Sequence, residues 1–191
     1  ISGTHGKTST CSMLGEILTA AELHPTMVIG GIVNKFQSNT ISGSGNIIVV
    51  EADEFDRSFL TLQPTMGLIT NLDLEHLDCY ENLEDLQIAF TQFANAVPFY
   101  GRVGVCIDNR NAASIIPNIK RPVVTFGVHE EAEIKASDLC FEDNHSQFEL
   151  SVHGETKGVL KVHVPGEHNV KNALGAVVLA LELDIPFEKI Q

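Results

Sequence analysis

Runs of apolar, mostly β-branched residues alternate with helical patterns along most of this chain, and this alternation constrains the fold more than any other feature. Such runs are typical of strands that are buried on both faces of a parallel sheet. They lie at 26–32, 46–50, 65–71, 102–107 and 122–126. Apolar residues at helical spacing predict helices at 6–23, 82–97, 109–116 and 169–183. Strands that alternate with helices predict an α/β fold, with a mostly parallel sheet and helices on both faces.

The pattern changes between residues 132 and 164, where apolar and polar residues alternate. Three such segments, 132–141, 146–153 and 158–164, are separated by turn residues. They predict a small antiparallel sheet with one solvated face. Residues 34–45 are polar and rich in Gly and Ser, which predicts a loop.

Composition limits the classes of protein to consider. The 191 residues are typical of one hydrophobic core, so we expect a single domain over 1–191. A formal charge of −13 disfavours a nucleic-acid or anionic-membrane partner, because phosphate contacts need clustered Lys and Arg. The four cysteines form no C-x-x-C pair, which disfavours a structural zinc site and favours free thiols in a reducing, cytoplasmic location. They are Cys11, Cys79, Cys106 and Cys140.

The segment Gly3-Thr4-His5-Gly6-Lys7-Thr8 opens the first predicted helix. Backbone N–H groups of a glycine-rich loop at a helix N-terminus hold phosphates. In such loops the lysine, here Lys7, bridges the β- and γ-phosphates, and the threonine hydroxyl, here Thr8, ligates Mg²⁺. The full pattern has a further glycine five residues before Gly6, where this chain has Ile1. An ordinary glycine turn with a threonine cap is therefore the alternative.

An acidic segment, Glu51-Ala-Asp-Glu-Phe-Asp56, follows the strand at 46–50. Four carboxylates in six residues repel one another unless a cation lies near them. Mg²⁺ is a suitable cation, since it takes hard oxygen ligands. The alternative is a solvated acidic loop.

A third polar segment, residues 70–78, follows the strand at 65–71 and contains His76 between acidic residues. The carboxyl ends of parallel strands meet at one edge of a sheet, and ligands of open α/β sheets bind there. We therefore expect this segment, the acidic segment and the glycine-rich loop to converge. The other histidines are interpreted as ordinary surface or core residues, His168 being a partial exception.

Residues 166–172 precede the last apolar helix and contain Asn169 and Asn172, three positions apart on one helix face. Carboxamides both donate and accept hydrogen bonds, which suits the edge of a purine. The alternative for Asn169 is a helix cap.

With these four segments in this order, the chain resembles the Mur ligase family. The markers of that family are Gly-Thr-x-Gly-Lys-Thr at 3–8, a glutamate at the next strand end, a histidine about 25 residues later, and His-Asn-x-x-Asn at 168–172. The resemblance covers nearly the whole chain, but only the family's central ATP-binding domain. It implies a fragment without the N-terminal UDP-binding domain and the C-terminal domain.

The resemblance also implies ligands and residue roles. ATP would contact Gly3, Thr4, Gly6, Lys7, Thr8, His168, Asn169 and Asn172. Thr8 and Glu51 would ligate Mg²⁺, and His76 a second Mg²⁺ near an acyl phosphate. Lys7 and His76 would be the catalytic residues. Asp53, Glu54 and Asn71 would be supporting or substrate contacts.

Within the family, residues 51–60, 75–78 and 97–101 are most similar to the branch that joins L-alanine to UDP-N-acetylmuramate. Several relatives carry a carbamylated lysine shortly after the histidine, whereas residues 79–99 contain no lysine, as in the L-alanine branch. One alternative is the tripeptide-recycling muropeptide ligase, in which we expect tyrosine in place of Phe55. The others are a P-loop phosphotransferase or GTPase and a non-catalytic nucleotide-binding module. A GTPase is disfavoured, because residues 34–37 resemble the guanine-binding motif Asn-Lys-x-Asp but have Gln37 in place of the aspartate. We expect the isolated fragment to be inactive.

Overall fold

A computed structural model describes residues 1–33, 38–75, 79–129 and 131–191. The strands are β1 (Thr26–Val33), β2 (Ser38–Ile41), β3 (Ile48–Val50), β4 (Met66–Ile69), β5 (Arg102–Cys106), β6 (Val123–Gly127), β7 (Ile134–Glu142), β8 (His145–Val152) and β9 (Glu155–Val162). The α-helices are α1 (Lys7–Ala20), α2 (Leu83–Ala96), α3 (Arg110–Ile115), α4 (Glu167–Glu182) and α5 (Phe187–Ile190). Short 3₁₀ helices cover Ser58–Thr61 and Ile116–Asn118.

Six strands form one sheet in the order β4-β5-β6-β7-β8-β9. Strands β4 to β7 are parallel, while β8 and β9 continue the sheet as an antiparallel meander. The mostly parallel sheet and the meander were both predicted, and the α/β fold class is confirmed. The structure adds that the meander extends the parallel sheet, because β7 pairs with β6 at Phe126 and Gly127.

Three further strands form a sheet in the order β2-β1-β3, in which β1 is parallel to β3 and antiparallel to β2. Strand β2 corrects the prediction of a loop over 34–45, of which 34–37 lie outside the described residues. Its sequence, Ser-Asn-Thr-Ile, lacks the apolar run of a buried strand. Backbone pairing with β1 makes it a strand, and sequence patterns do not reveal such pairing.

Residues Ile1 and Ser2 join the two sheets. The Ile1 amino group donates to the Val50 carbonyl at 2.9 Å, and the Ala52 N–H donates to the Ile1 carbonyl at 2.8 Å. On the other side, the Ser2 N–H donates to Leu68 at 2.8 Å. The chain therefore enters the glycine-rich loop from between β3 and β4, at the carboxyl ends of both strands.

Helices cover both faces of the six-stranded sheet. Helix α4 packs against one face and against α1, which in turn contacts β1 and β3 of the three-stranded sheet, in a core that contains Leu14, Leu18, Leu174 and Val178. Helices α2 and α3 cover the other face, with buried side chains that include Phe90. None of the helices in the described ranges is long and apolar enough to cross a membrane.

The residues before α2 and α4 mark where these two helices begin. The Asn82 side chain accepts the Asp85 N–H at 2.9 Å and caps α2. Helix α4 begins at Glu167 with Gly166 as its N-cap, two residues before the predicted start at 169. Asn169 is therefore inside the first turn, and the interpretation of Asn169 as the helix cap is wrong.

Candidate functional site

The glycine-rich loop needs glycine at positions 3 and 6 because of both backbone conformation and space. Gly3 and Gly6 have φ angles of 141° and 82°, which side chains of L-residues rarely adopt. A Cβ at Gly3 would lie 2.1 Å from the Thr70 hydroxyl, and one at Gly6 would lie 2.2 Å from Oδ1 of Asn172. The loop thus packs directly against the end of β4 and against α4.

The residues that follow β4 hold this loop in place. The Asn71 side chain accepts the His5 N–H at 2.8 Å and donates to the His5 carbonyl at 2.9 Å. Thr70 also donates to that carbonyl, at 2.7 Å. The Thr4 hydroxyl accepts the Asp73 N–H at 2.9 Å and donates to the Asp73 carbonyl at 3.1 Å. Asn71 and Thr4 therefore shape the loop through the backbone, a role that their residue types alone did not reveal.

Lys7 lies at the start of α1 and its ammonium group is held from two sides. Its Nζ donates to the Gly3 carbonyl at 2.8 Å and to Oε2 of Glu54 at 2.8 Å. The side chains of Lys7 and Glu54 are only 12% and 2% exposed. Asp53 Oδ1 lies at 4.0 Å, from a more exposed position. A cation is thereby fixed where N–H groups at a helix N-terminus already favour anions.

The Thr8 hydroxyl lies against the Glu51 carboxylate, at 2.8 and 3.0 Å from its two oxygens. The Gly30 N–H donates to the same carboxylate at 2.8 Å and fixes its orientation. This set of hard oxygen donors beside a phosphate-type loop fits Mg²⁺. Sequence analysis predicted Thr8 and Glu51 as ligands of one ion, and the structure brings them together.

The other carboxylates of the acidic segment do not gather around one point. Glu54 pairs with Lys7, and Asp56 turns away to accept the Ser58 N–H at 2.9 Å. Hydrogen bonds from Ser58 lower the pKa of Asp56. In the ranges that the structure covers, no three His, Cys, Asp or Glu side chains come together as a metal site. His76, the predicted ligand of a second ion, lies with 77 and 78 outside the described residues.

A cleft of about 410 Å³ extends from the glycine-rich loop to the first turn of α4. His168, Asn169 and Asn172 line it together with Gly6, as the prediction of a purine site requires. The Asn169 side chain donates to the Pro165 carbonyl at 2.7 Å and accepts from Asn172 at 3.5 Å. The His168 ring packs beside Gly166, which has no side chain to displace it.

Two charged residues of this cleft were missed by the sequence reasoning. Asp108 accepts N–H groups of Val128 and His129 at 2.9 Å each. Lys171 Nζ lies 3.6 Å from Asp108 and 2.8 Å from Glu167. Asp108 follows β5, so the strand-end rule applied to the other polar segments could have found it.

Burial and neighbouring charges shift the pKa of Lys171 in opposite directions. Burial lowers the pKa of Lys171, but its hydrogen bond to Glu167 and the charge of Asp108 outweigh that effect and raise it overall. Lys171 is therefore a fixed positive charge beside the cleft. Burial also raises the pKa of Cys106 to about 11, so its thiol is neutral at physiological pH.

A family model, described as the Mur ligase middle domain, matches residues 1–180. The chain belongs to this family. Over all 191 residues it is 44% identical to the UDP-N-acetylmuramate–L-alanine ligase of Salinibacter ruber, and it spans 40% of the length of that relative. The resemblance predicted from four short motifs is thereby confirmed over nearly the whole chain.

Solved structures of Mur ligases are similar to this domain. The UDP-N-acetylmuramate–alanine ligase of Thermotoga maritima is 27% identical with a TM-score of 0.84, over 99% of this chain and 42% of that one. The UDP-N-acetylmuramate:L-alanyl-γ-D-glutamyl-meso-diaminopimelate ligase of Neisseria meningitidis is 27% identical with a TM-score of 0.85, over 100% and 61%. Structural similarity alone thus does not separate the two branches.

Proposed function

We propose that this chain is the central, ATP-binding domain of a ligase that joins L-alanine to UDP-N-acetylmuramate in peptidoglycan biosynthesis. The single observation that carries the proposal is the arrangement of Lys7, Thr8 and Glu51 at the N-terminus of α1. The 44% identity to a UDP-N-acetylmuramate–L-alanine ligase supports the choice of branch. Domains that hold the UDP moiety and close the site would lie in the remainder of the enzyme.

The cleft suggests how ATP lies. Its phosphates would occupy the glycine-rich loop, where the N–H groups at the start of α1 and the Lys7 ammonium attract negative charge. Its adenine would lie at the far end, where the carboxamides of Asn169 and Asn172 offer donors and acceptors. Lys171 and Asp108 line the region between these carboxamides and β5.

Thr8 and Glu51 would hold the Mg²⁺ that accompanies ATP, because their oxygens already lie within 3.0 Å of each other. When bound, Mg²⁺ neutralises part of the phosphate charge. Gly30 keeps the Glu51 carboxylate turned toward Thr8 through its N–H group. His76 remains a proposed ligand of a second ion.

The reaction would begin when the lactyl carboxylate of UDP-N-acetylmuramate attacks the γ-phosphorus, which releases ADP and forms an acyl phosphate. The amine of L-alanine would then attack the acyl carbon, and collapse of the tetrahedral intermediate would release phosphate and leave an amide. Lys7 would stabilise the negative charge on the phosphoryl group during its transfer. Its buried partner Glu54 would restrict the positions that Lys7 can take.

We place this reaction in the cytoplasm, with no nucleic-acid or membrane partner. The four cysteines are free thiols, which fits a reducing compartment. The net charge of −13 is unfavourable for a polyanionic partner.

The proposal is tested by phosphate release from the full-length enzyme with MgATP and UDP-N-acetylmuramate, with L-alanine, glycine, L-serine or tripeptide as the acceptor. Release that requires both the sugar nucleotide and L-alanine is the expected result. Release with tripeptide alone would assign the chain to the recycling branch, whose Neisseria structure is equally similar in fold. ATP binding without acceptor-dependent phosphate release would indicate that the chain is a nucleotide-binding module and not part of a ligase. The 191 residues alone should not form the amide.

A further inference from the structure

The acidic segment is fastened to the start of α2 by an arginine and a tyrosine that sequence analysis did not single out. The Tyr80 hydroxyl donates to the Glu54 carbonyl at 2.6 Å, and the Arg57 N–H donates to the same carbonyl at 3.1 Å. Glu54 is the residue whose carboxylate holds the Lys7 ammonium. The backbone position of Glu54 is thus fixed from two sides.

Arg57 in turn is held by contacts with three parts of the following segment. Its Nε and one terminal nitrogen donate to the Cys79 carbonyl at 3.2 and 3.0 Å. The same terminal nitrogen donates to the carboxylate of Asp85 in the first turn of α2. Its guanidinium carbon lies 4.7 Å from the centre of the Tyr80 ring, in the position of a cation–π contact.

The backbone conformation of Arg57 also depends on these contacts. Its φ angle of 61° is in the left-handed region, which a non-glycine residue adopts at a cost. Strained backbone of this kind persists only where the surrounding contacts determine it, and it clusters at functional sites. Here the contacts are those to Cys79, Tyr80 and Asp85, and the conformation lies at the end of the turn in which the Arg57 N–H donates to the Glu54 carbonyl.

Tyr80 is suited to holding the Glu54 carbonyl at neutral pH. Its side chain is 1% exposed, and burial raises its pKa to about 12. The hydroxyl therefore stays protonated and remains a donor. The Arg57 guanidinium also lies over this ring, so the side chains of the two residues that hold the Glu54 carbonyl pack against each other.

We propose that Tyr80 and Arg57 are positioning residues for the phosphate site. They fix the backbone of Glu54, so that its carboxylate sets the place of the Lys7 ammonium, and they act on ATP only through Lys7. The inference rests on the proposed function, since it takes Lys7 as the residue that meets the phosphates. It assigns no contact with substrate to Tyr80 or Arg57.

The test is a double-mutant cycle on the dissociation constant of MgATP, measured by calorimetry with the full-length enzyme. Tyr80→Phe removes the hydroxyl and keeps the ring, and it should weaken MgATP binding about three- to tenfold, the usual effect of one lost hydrogen bond. In a Lys7→Ala background the same change should alter the constant by less than twofold, because its mediator is gone. A structural defect alone would act equally in both backgrounds.

A matched control and a second variant accompany the cycle. Tyr100→Phe makes the same chemical change at a side chain that is 69% exposed, and it should leave the constant unchanged. Arg57→Lys keeps the charge but loses the planar fork toward Cys79 and Asp85, and it should show the same dependence on Lys7. Because Arg57 is partly exposed, this variant should fold even where Tyr80→Phe does not.

Three results would overturn the proposal. They are equal weakening in both backgrounds, no weakening by Tyr80→Phe and Arg57→Lys in the presence of Lys7, and a Lys7→Ala enzyme that binds MgATP as the wild type does. The phosphate-release assay of the wild type decides the proposed function separately. A ligase that is active but shows no such coupling would retain its function and refute this inference.

Discussion

Thr8 and Glu51 are 43 positions apart in the chain, yet the Thr8 hydroxyl lies 2.8 and 3.0 Å from the two carboxylate oxygens of Glu51. The contact arises because Ile1 and Ser2 run between β3 and β4, so that the first turn of α1 starts near the end of β3. We propose that this hydroxyl and this carboxylate supply two of the oxygen ligands of a Mg²⁺ ion, and that a bound nucleotide and water would supply the others.

We predict that Thr8→Val raises the Mg²⁺ concentration needed for half-maximal turnover by about tenfold or more, since it removes an oxygen ligand and keeps the shape of the side chain. The measurement is turnover of the full-length enzyme against Mg²⁺ at saturating ATP. Ser12→Ala is the control, because Ser12 lies one helical turn further along α1 and donates only to the Thr8 carbonyl. An unchanged Mg²⁺ requirement in Thr8→Val would remove Thr8 from the metal site.

Chain order and the geometry of parallel strands predict that the polar segments converge. Runs at 46–50 and 65–71 are apolar enough to mark buried strands, and their polar ends are expected at one edge of a single sheet. The structure places β3 and β4 in two different sheets, and their ends meet because Ile1 and Ser2 join those sheets. The same reasoning extends to Asp108, which follows β5. The fold class and the approximate position of the candidate site were therefore predictable from pattern, whereas the division of the strands between two sheets was not.

The pairing of individual side chains was not predictable in this way. The acidic segment contains four carboxylates, and nothing in their spacing shows that Glu54 holds Lys7 while Asp56 bonds to Ser58. These pairings depend on the turn at Arg57 and on the hydrogen bond from Tyr80 to the Glu54 carbonyl, which are tertiary features. Strand β2 was missed for a related reason, since its pairing with β1 outweighs its polar sequence.

Lys7 should matter for stability as well as for catalysis. A surface loop would tolerate Lys7→Ala, but the structure places Lys7 beside a carboxylate that is 2% exposed. Removing the cation from a buried ion pair destabilises a protein by roughly 3 kcal/mol. We therefore predict that Lys7→Ala abolishes phosphoryl transfer and also lowers the thermal unfolding temperature of the full-length enzyme.

The double variant Lys7→Ala with Glu54→Gln separates the two effects. It removes both charges, so it should recover a large part of the lost unfolding temperature and none of the activity. Differential scanning fluorimetry and phosphate release measure the two quantities. If Lys7→Ala melts at the wild-type temperature, the ion pair between Lys7 and Glu54 does not contribute to stability.

The cysteines should differ sharply in reactivity, and the order follows from burial. Burial raises the pKa of Cys11 to about 12 and that of Cys106 to about 11. Only the thiolate reacts, and a raised pKa lowers its fraction at any given pH, so both residues should stay unmodified until the pH nears those values or the protein unfolds. Cys140 is exposed and should react first.

Mass spectrometry after iodoacetamide treatment at pH 8 measures this order in the full-length enzyme. Cys140 should be modified within minutes, whereas Cys11 and Cys106 should require denaturant. Addition of urea is the internal control, since all four thiols must then react. Rapid modification of Cys106 in the native enzyme would contradict its burial beneath the cleft.

The two glycines Gly6 and Gly154 share a φ angle of 82° but differ in what surrounds them. A Cβ at Gly154, in the turn between β8 and β9, would meet nothing within 4 Å, whereas one at Gly6 would lie 2.2 Å from Oδ1 of Asn172. Gly154→Ala therefore measures the cost of the left-handed backbone alone, about 1 kcal/mol. Gly6→Ala should cost more, because Asn172 or the loop must also shift.

The same pair of variants tests whether Gly6 joins the two ends of the cleft. Gly6→Ala should weaken MgATP binding by tenfold or more, because a displaced Asn172 disturbs the far end of the cleft and a displaced loop disturbs the phosphate end. Gly154→Ala should bind MgATP as the wild type does, since it lies in the turn of the meander and does not line the cleft. Calorimetric titration of both full-length variants measures this difference. Equal affinities in the two variants would show that the close approach of Gly6 to Asn172 has no part in binding the nucleotide.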